Sequence, residues 1–445
     1  MKTLNKCRVI LQLAKGSKKL FIDDILKVIY APQKAFKSIL ADPKYLGAFI
    51  VLILFIGLQV GYEYTQFSKT YTEQTTPTID QLATFTNSTV WRSSPNVELS
   101  NNFDDYLNYS IYVAGFGLPP TDQNAYYSLF GNSSLQMNAS NTNNVTAVLG
   151  NVFNVDCGTS GFQNLSITLK QLQPQVAPKN ATLTLYSLGD IDSFRYDLTP
   201  QLSNSSTLGQ WNNLTLTLGP NAVDWIPSGN PTWSNITSLK LDFTYPSSTN
   251  VNIHVGALFF HGQYLTPVQY NSTGILLQFL QLFSLQFIFT WFILTGIIYL
   301  ICRVLKSQVL WKPLFVAFGF ALVIMAIRSL VNLVASFTLP TVYYPFDLSL
   351  GVRFDPNAAL YYPVEALKTL PAISTTIFNK IDAATLPFRT IVSGMFIVSY
   401  VWLGAVGTIV VGELKPEFSM VKRIVLSAVS LAIVVLLLIF LVGAV

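Results

Sequence analysis

Apolar residues in this chain fall into two patterns. Five stretches are apolar almost without interruption: 46–62 (LGAFIVLILFIGLQVGY), 275–302, 314–339, 390–412 and 424–445. A helix needs about 20 such residues to cross a hydrocarbon core, so each stretch is predicted to be a transmembrane helix. Between the first and second, the pattern changes to short alternating runs. Leu165–Leu169 (LSITL), Thr182–Tyr186 (TLTLY), Leu214–Leu218 (LTLTL), Leu239–Thr244 and Val251–Phe260 are separated by Asn, Gly, Pro and Ser. Period two turns one face of a strand to a core and the other to solvent, which predicts an antiparallel all-β sandwich over 97–266. The Thr- and Gln-rich residues 63–96 read as a stalk leading to it.

Two further segments complete the pattern. In residues 1–45, Phe21, Ile22, Ile25, Leu26 and Ile29 recur at helical spacing beside Lys18, Lys19 and Lys27. Such a helix either lies on a membrane surface or packs on the bundle. The stretch 339–389 reads as a loop with a helix around Val364–Ile381.

Composition supports the membrane reading. The chain is 51% hydrophobic and 11% charged, where a soluble domain carries roughly a quarter charged residues. The net charge of +5 is unevenly spread: residues 1–45 hold ten Lys/Arg, whereas 63–273 hold six against thirteen Asp/Glu. With the N-terminus inside, the inner segments 1–45, 303–313 and 413–423 carry sixteen basic residues and the outer ones ten, although the outer ones are far longer. Basic residues concentrate on the cytoplasmic side, so 63–273 and the C-terminus are expected outside. The N-x-S/T sequons agree: Asn87, Asn108, Asn132, Asn138, Asn144, Asn164, Asn180, Asn204, Asn213, Asn235 and Asn271 all lie in that one window. They are glycosylation candidates on an exported, extracellular segment. The first span begins too late, and lacks the cleavage site, for a signal peptide.

Candidate chemistry is sparse. Cys157 is the one cysteine of the exported window, apart from Cys7 and Cys302, so no disulfide framework forms there. Asp104–Asp105 and the pair Asp190 and Asp192 read as solvated loops or as ligands of a structural Ca²⁺; no other cofactor is indicated. His254 and His261 lack the company that a zinc site or a Ser-His-Asp triad needs. Trp225 and Trp233 are candidates for stacking on a sugar ring, or else they fill the sandwich core. Trp211 reads as core. Arg328 lies deep in the third span with Asn332 one turn on. A charge there costs at least ~2.5 kcal/mol, so it serves either a polar site for an ion, headgroup or partner, or an interhelical hydrogen-bond clamp.

Two resemblances add to this. Ala31-Pro32-Gln33-Lys34-Ala35-Phe36-Lys37-Ser38-Ile39-Leu40-Ala41-Asp42-Pro43, just before the first span, resembles the Yip family of membrane proteins. Trp402-Leu403-Gly404, the loop with Lys422 and the final apolar helix resemble that family's last two spans. The resemblance implies a five-span bundle; the Rab-type GTPase partners of eukaryotic members do not carry over, since no contact motif matches. Gly131-Asn132-Ser133-Ser134-Leu135, Trp211 before Leu214–Leu218, and Pro231 to Ile236 with the strands through Phe260 resemble the galactose-binding-like jelly-roll superfamily. That implies a jelly-roll β-sandwich inserted between the first and second spans, of a type that includes carbohydrate-binding modules.

The expected protein is a non-enzymatic, multi-pass cell-membrane protein that displays a glycosylated β-sandwich. Its expected partners are the lipid bilayer and an extracellular glycan or surface protein, with no nucleic acid. A transporter or channel-like component with the sandwich as a cap is the alternative. A surface glycosidase would need two carboxylates across a cleft. Nineteen charged residues in 63–273 leave few carboxylates to protonate, which points to an acidic exterior of archaeal, thermoacidophile type.

Overall fold

The computed structural model describes residues 23–78, 84–102, 134–187, 191–203, 208–345 and 372–442. The chain divides into two units, one of Met1–Thr70, Thr266–Thr341 and Ala383–Val445, the other of Tyr71–Leu265 and Val342–Asp382. Asn108, Asn132, Asn204, Cys7, Phe21, Ile22, Asp104, Asp105 and Asp190 lie outside the described residues.

The first unit is helical. Residues 23–30 form a short helix, and α1 (Pro32–Ala41) follows with Pro at its start and Ala35, Phe36 and Ile39 buried. Ile25 and Val28 are buried in the same core, so the expected amphipathic segment packs on the bundle there. Five helices are long and apolar enough to cross a membrane: Tyr45–Lys69, Pro267–Val304, Trp311–Ser336, Asn379–Leu414 and Met420–Leu437. They are α2 (Tyr45–Lys69), α3 (Pro267–Val304), α4 (Trp311–Ala321) running on into α5 (Val323–Ser336), α6 (Ala372–Leu414) and α7 (Met420–Val442).

Aromatic rings knit α2, α3 and α4. Phe55 meets Phe287 at 5.4 Å and Phe67 meets Phe279 at 5.1 Å between centroids. Trp291 stacks on Phe315 at 4.2 Å and donates its Nε1–H to the Phe315 carbonyl at 2.6 Å. Gly319 faces Ala48 and Trp291 so closely that any side chain there would strike both. Small residues at such crossings are what let helix backbones approach.

Helix α3 starts twice. Thr266 forms a capping box with Gln269, the backbone leaves helical geometry at Asn271 (φ −151°, ψ 63°), and Asn271 Oδ1 then accepts from Gly274 N–H at 3.0 Å, recapping the helix.

The second unit is an antiparallel β domain. Its strands are β1 (Thr70–Thr76), β2 (Trp91–Ser93), β3 (Val97–Asn102), β4 (Ser134–Val155), β5 (Asn164–Gln173), β6 (Asn180–Ser187), β7 (Asp192–Asp197), β8 (Asn212–Thr217), β9 (Trp225–Ser228), β10 (Ile236–Leu265) and β11 (Val342–Tyr344). The two runs expected at Leu239–Thr244 and Val251–Phe260 are one strand of 30 residues, β10, that bends where its register with β4 shifts between Thr244 and Val251. Before the bend β10 pairs with β6, which leads to β7 and β9; after it, β10 pairs with β5, which leads to β8. Leu165, Ile167 and Leu169 of β5 and Leu183 and Leu185 of β6 share one buried core with both halves of β10. The bent ribbon of β4 and β10 thus closes two strand groups over a common interior, a β-sandwich arrangement.

The stalk expected at 63–96 is ordered structure. Helix α2 continues to Lys69 with Gln66 buried. Residues 70–76 form β1 against β10, and β2 pairs with β4. β1 lies between β10 and β11 in the sheet; its β-branched threonines suit a strand, and their polarity hid it. At the other end of the chain, 339–389 holds β11 and the start of α6, which runs through Pro387.

Candidate functional site

Strand alternation builds one polar sheet face. In the layer β3-β4-β10-β5-β8, Leu135, Met137, Ile253, Val255, Ile167 and Leu169 point into the core. Their neighbours point the other way, and register aligns them in rows: Ser100, Gln136, His254 and Lys170 in one, and Glu98, Asn138 and Asn252 in the next. Ser100 Oγ donates to Gln136 Oε1 at 3.3 Å. Gln136 Nε2 reaches Asn138 Oδ1 at 3.3 Å and Asn252 Oδ1 at 3.4 Å. This band of amides and hydroxyls is half-buried.

Trp211 lies on the same face. Gly256 provides the bare floor, with the indole 3.5 Å from where a Cβ would stand. The ring is 6.2 Å from His254, and Lys170 Nζ sits 5.7 Å from its centroid. Trp211 is therefore on the face of the sheet and outside the core assigned to it by sequence.

The stacking candidates go the other way. Trp225 is 5% exposed, and its Nε1–H donates to the Thr217 carbonyl at 2.8 Å. Trp233 stacks on Phe194 at 3.8 Å and meets Trp225 edge-on at 5.6 Å. Both rings pack on the core, and that packing leaves Trp225 no open face for a sugar. Asp192 Oδ1 accepts from Asn230 N–H at 3.0 Å beside Gly229 (φ +76°), fixing a turn. Among the described residues no group of three or more His, Cys, Asp or Glu is placed to hold a metal.

Further along the face is a contact that no spacing announced. Ser166 Oγ lies 3.0 Å from His261 Nε2, and His261 Nδ1 lies 2.9 Å from Glu73 Oε1. The order hydroxyl, imidazole, carboxylate is that of a nucleophile, a base and its orienting acid. Ser166, however, sits inside β5 with Phe259 opposite on one side and Thr215 on the other. Its backbone belongs to the ladder, whereas an oxyanion hole needs N–H groups aimed at a bound carbonyl.

The described sequons follow strand geometry. In Asn138-Ala139-Ser140, Asn144-Val145-Thr146, Asn164-Leu165-Ser166 and Asn180-Ala181-Thr182 the middle residue is buried in the core, so the asparagine and hydroxyl share the opposite face. Asn144 and Asn180 are exposed. Asn235 Oδ1 is buried without a partner. Asn87 caps a turn by accepting from Thr89 N–H at 3.1 Å, and Asn271 caps α3.

In the helical unit Arg328 is 8% exposed, and its guanidinium lies 5.6 Å and 5.8 Å from the ring centroids of Phe396 and Tyr400. Ser329 Oγ donates to Gln59 Oε1 at 2.6 Å, and Gln59 Nε2 reaches Glu63 Oε1 at 3.3 Å. The sequence-predicted pair Arg328 and Asn332 is thus buried together, on α5 against α2 and α6.

No protein-family model matches the chain, and no curated protein matches it. Solved structures do. A family 11 carbohydrate-binding module from Clostridium thermocellum, in complex with a β-1,3-1,4-mixed-linked tetrasaccharide, is 12% identical with a TM-score of 0.23, covering 38% of this chain and 88% of its own. TmCBM61 in complex with β-1,4-galactotriose is 10% identical with a TM-score of 0.22, covering 40% of this chain and 92% of its own. An exo-β-agarase is 9% identical with a TM-score of 0.26, covering 38% of this chain and 23% of its own. Likenesses of this size assign neither a ligand nor an activity to this chain.

Proposed function

We propose that this is a non-enzymatic membrane protein whose five apolar helices anchor a β-sandwich that binds neutral glycan. The observation that carries the reading is the face built by Ser100, Gln136, Asn138, Asn252 and Trp211. It offers amide and hydroxyl donors and acceptors, with Glu98 and Lys170 in the same rows, beside an aromatic ring, which complements a polyol with hydroxyls around apolar ring faces. The galactose-binding-like jelly roll and the Yip-like bundle are the architectures in which we read the two units. The N-terminus lies in the cytoplasm, and residues 63–273 lie outside and carry glycan. Carbohydrate-binding modules among the structural likenesses are consistent with this reading. A glycan array probed with the full chain in detergent tests it. Binding is expected, and Trp211→Ala is expected to weaken it at least tenfold; an array without signal sinks the proposal and leaves adhesion to a surface protein.

A second reading, a serine hydrolase, has the Ser166–His261–Glu73 chain in its favour and the ladder position of Ser166 against it. The transporter reading has only the buried polar residues around Arg328.

A further inference from the structure

Arg328 is 8% exposed, and its Nε is buried and makes no hydrogen bond. One turn along α5, Asn332 is 4% exposed, and its Oδ1 also has no partner. The ion pairs among the described residues involve other groups. Its neighbours include Phe396 and Tyr400 on α6, Tyr62 on α2, and Ser329, already committed to Gln59, whose amide is in turn held by Glu63. A buried cation without a counter-charge is costly, and cation–π contact offsets only part of that cost. Arg328 Nε, a donor, and Asn332 Oδ1, an acceptor one turn along the helix, are both left without a partner. The complement is an anion that accepts from the guanidinium and donates a hydroxyl to Asn332.

We infer that Arg328 and Asn332 form a binding site for a phosphate group that carries a hydroxyl. Arginine suits it because its planar fork matches phosphate oxygens. Helix α6 is the side that would admit such a group. Phe396 and Tyr400 are half-buried, and their neighbours Ile397 and Val401 are exposed on the same helix. Arg328 is eight residues from the Ser336 end of α5, about 12 Å along the helix. A phosphoglycerol lipid headgroup drawn in past the two rings and free inorganic phosphate share the required chemistry. The lipid source rests on the reading of this unit as membrane-embedded, and recovery of the full chain without detergent would refute that reading separately.

The test uses the full chain in nanodiscs of phosphatidylcholine containing either phosphatidylglycerol or phosphatidylmethanol, the second lacking the headgroup hydroxyls. Native mass spectrometry is expected to show retained phosphatidylglycerol on the wild type, at least tenfold less on Arg328→Gln, and an intermediate amount on Arg328→Lys. Asn332→Leu keeps the charge and is expected to abolish the preference for phosphatidylglycerol over phosphatidylmethanol. In phosphatidylcholine discs, ³¹P line broadening of inorganic phosphate by wild type but not by Arg328→Gln would assign the site to the free ion. Equal lipid retention by wild type and Arg328→Gln, with no phosphate broadening, overturns the site and leaves a water-filled clamp. If Arg328→Gln does not fold, an unchanged headgroup preference in Asn332→Leu overturns it instead.

Discussion

His261 Nδ1 lies 2.9 Å from Glu73 Oε1, joining residues 188 positions apart. Glu73 comes from β1 and His261 from the late part of β10, and both side chains are largely buried, at 6% and 12% exposure. A carboxylate hydrogen bond of this kind contributes about 1.5–3 kcal/mol, and a neutral hydroxyl contact about 1. Glu73→Leu is therefore expected to destabilise the β domain by about 2 kcal/mol and Ser166→Ala by about 1 or less. Urea titration of the full chain, followed by tryptophan fluorescence, measures both. Equal effects would show that the carboxylate has no special part.

The same three residues decide between binder and hydrolase. With the backbone of Ser166 held in the ladder, a fluorophosphonate ester is expected to leave the protein unlabelled. Labelling that disappears in both Ser166→Ala and His261→Ala would replace the binding proposal with the hydrolase.

Tyr245 O–H donates to Gln171 Oε1 at 3.1 Å, and Gln171 Nε2 donates to the carbonyls of Pro174 and Val176 at 2.6 and 2.8 Å. This buried set ties the bend of β10 to the turn after β5. Tyr245→Phe leaves an acceptor unpaired and is expected to cost about 1–3 kcal/mol. A double-mutant cycle with Gln171→Leu is expected to recover part of that loss, because both partners are then removed; strict additivity would argue against coupling.

Lys69 Nζ donates to the carbonyls of Ser336, Phe337 and Leu339 at 3.2, 2.8 and 2.7 Å. A cation on the last carbonyls of a helix stabilises its C-terminal end by about 0.3–2 kcal/mol. Lys69→Met is expected to increase hydrogen exchange in 333–340 while leaving 311–321 unchanged. Unaltered exchange at the helix end would remove Lys69 from this role.

The β domain has an alkaline limit. Burial pushes the Tyr245 phenol and the Cys157 thiol upward, with the Asp156 charge adding to the effect on Cys157. Groups whose folded pKa is raised contribute stability that is intact below their unfolded values and is lost as pH rises through and beyond them. Thermal stability is thus expected to hold to about pH 8 and to fall from about pH 9 upward, where free thiols and phenols ionise. A thermal midpoint that stays level up to about pH 11 would contradict this. Toward acid, the sparse carboxylates predict β-structure retained near pH 3 by circular dichroism.

The five long apolar helices were legible because each is an almost unbroken apolar run of about 20 residues, and LSITL and TLTLY were legible because their alternate apolar residues do enter the core. The strand β1 was missed because a polar strand rich in threonine shows no apolar period. Trp225 took the core alternative of its two readings, whereas Trp211, read as core, lies over Gly256 on the sheet face, and a glycine in a strand gives no such address. The Ser166–His261–Glu73 chain stayed hidden because its parts come from distant segments and a register shift in β10 between Gly256 and Phe259 resets which residues share a face.

The strand-borne sequons carry a lesson about counting. Asn-apolar-Thr is at once an acceptor signal and the outward-inward-outward unit of a strand that avoids charge. A lineage that exchanges surface lysines and glutamates for amides and hydroxyls therefore generates acceptor sites as a by-product of solubility, with no selection for attached sugar. Asn144 and Asn180 flank Thr244 across three neighbouring strands in this way. Occupancy at each position is then a separate trait from the density of the motif, acquired where a bulky chain can stand clear of its neighbours.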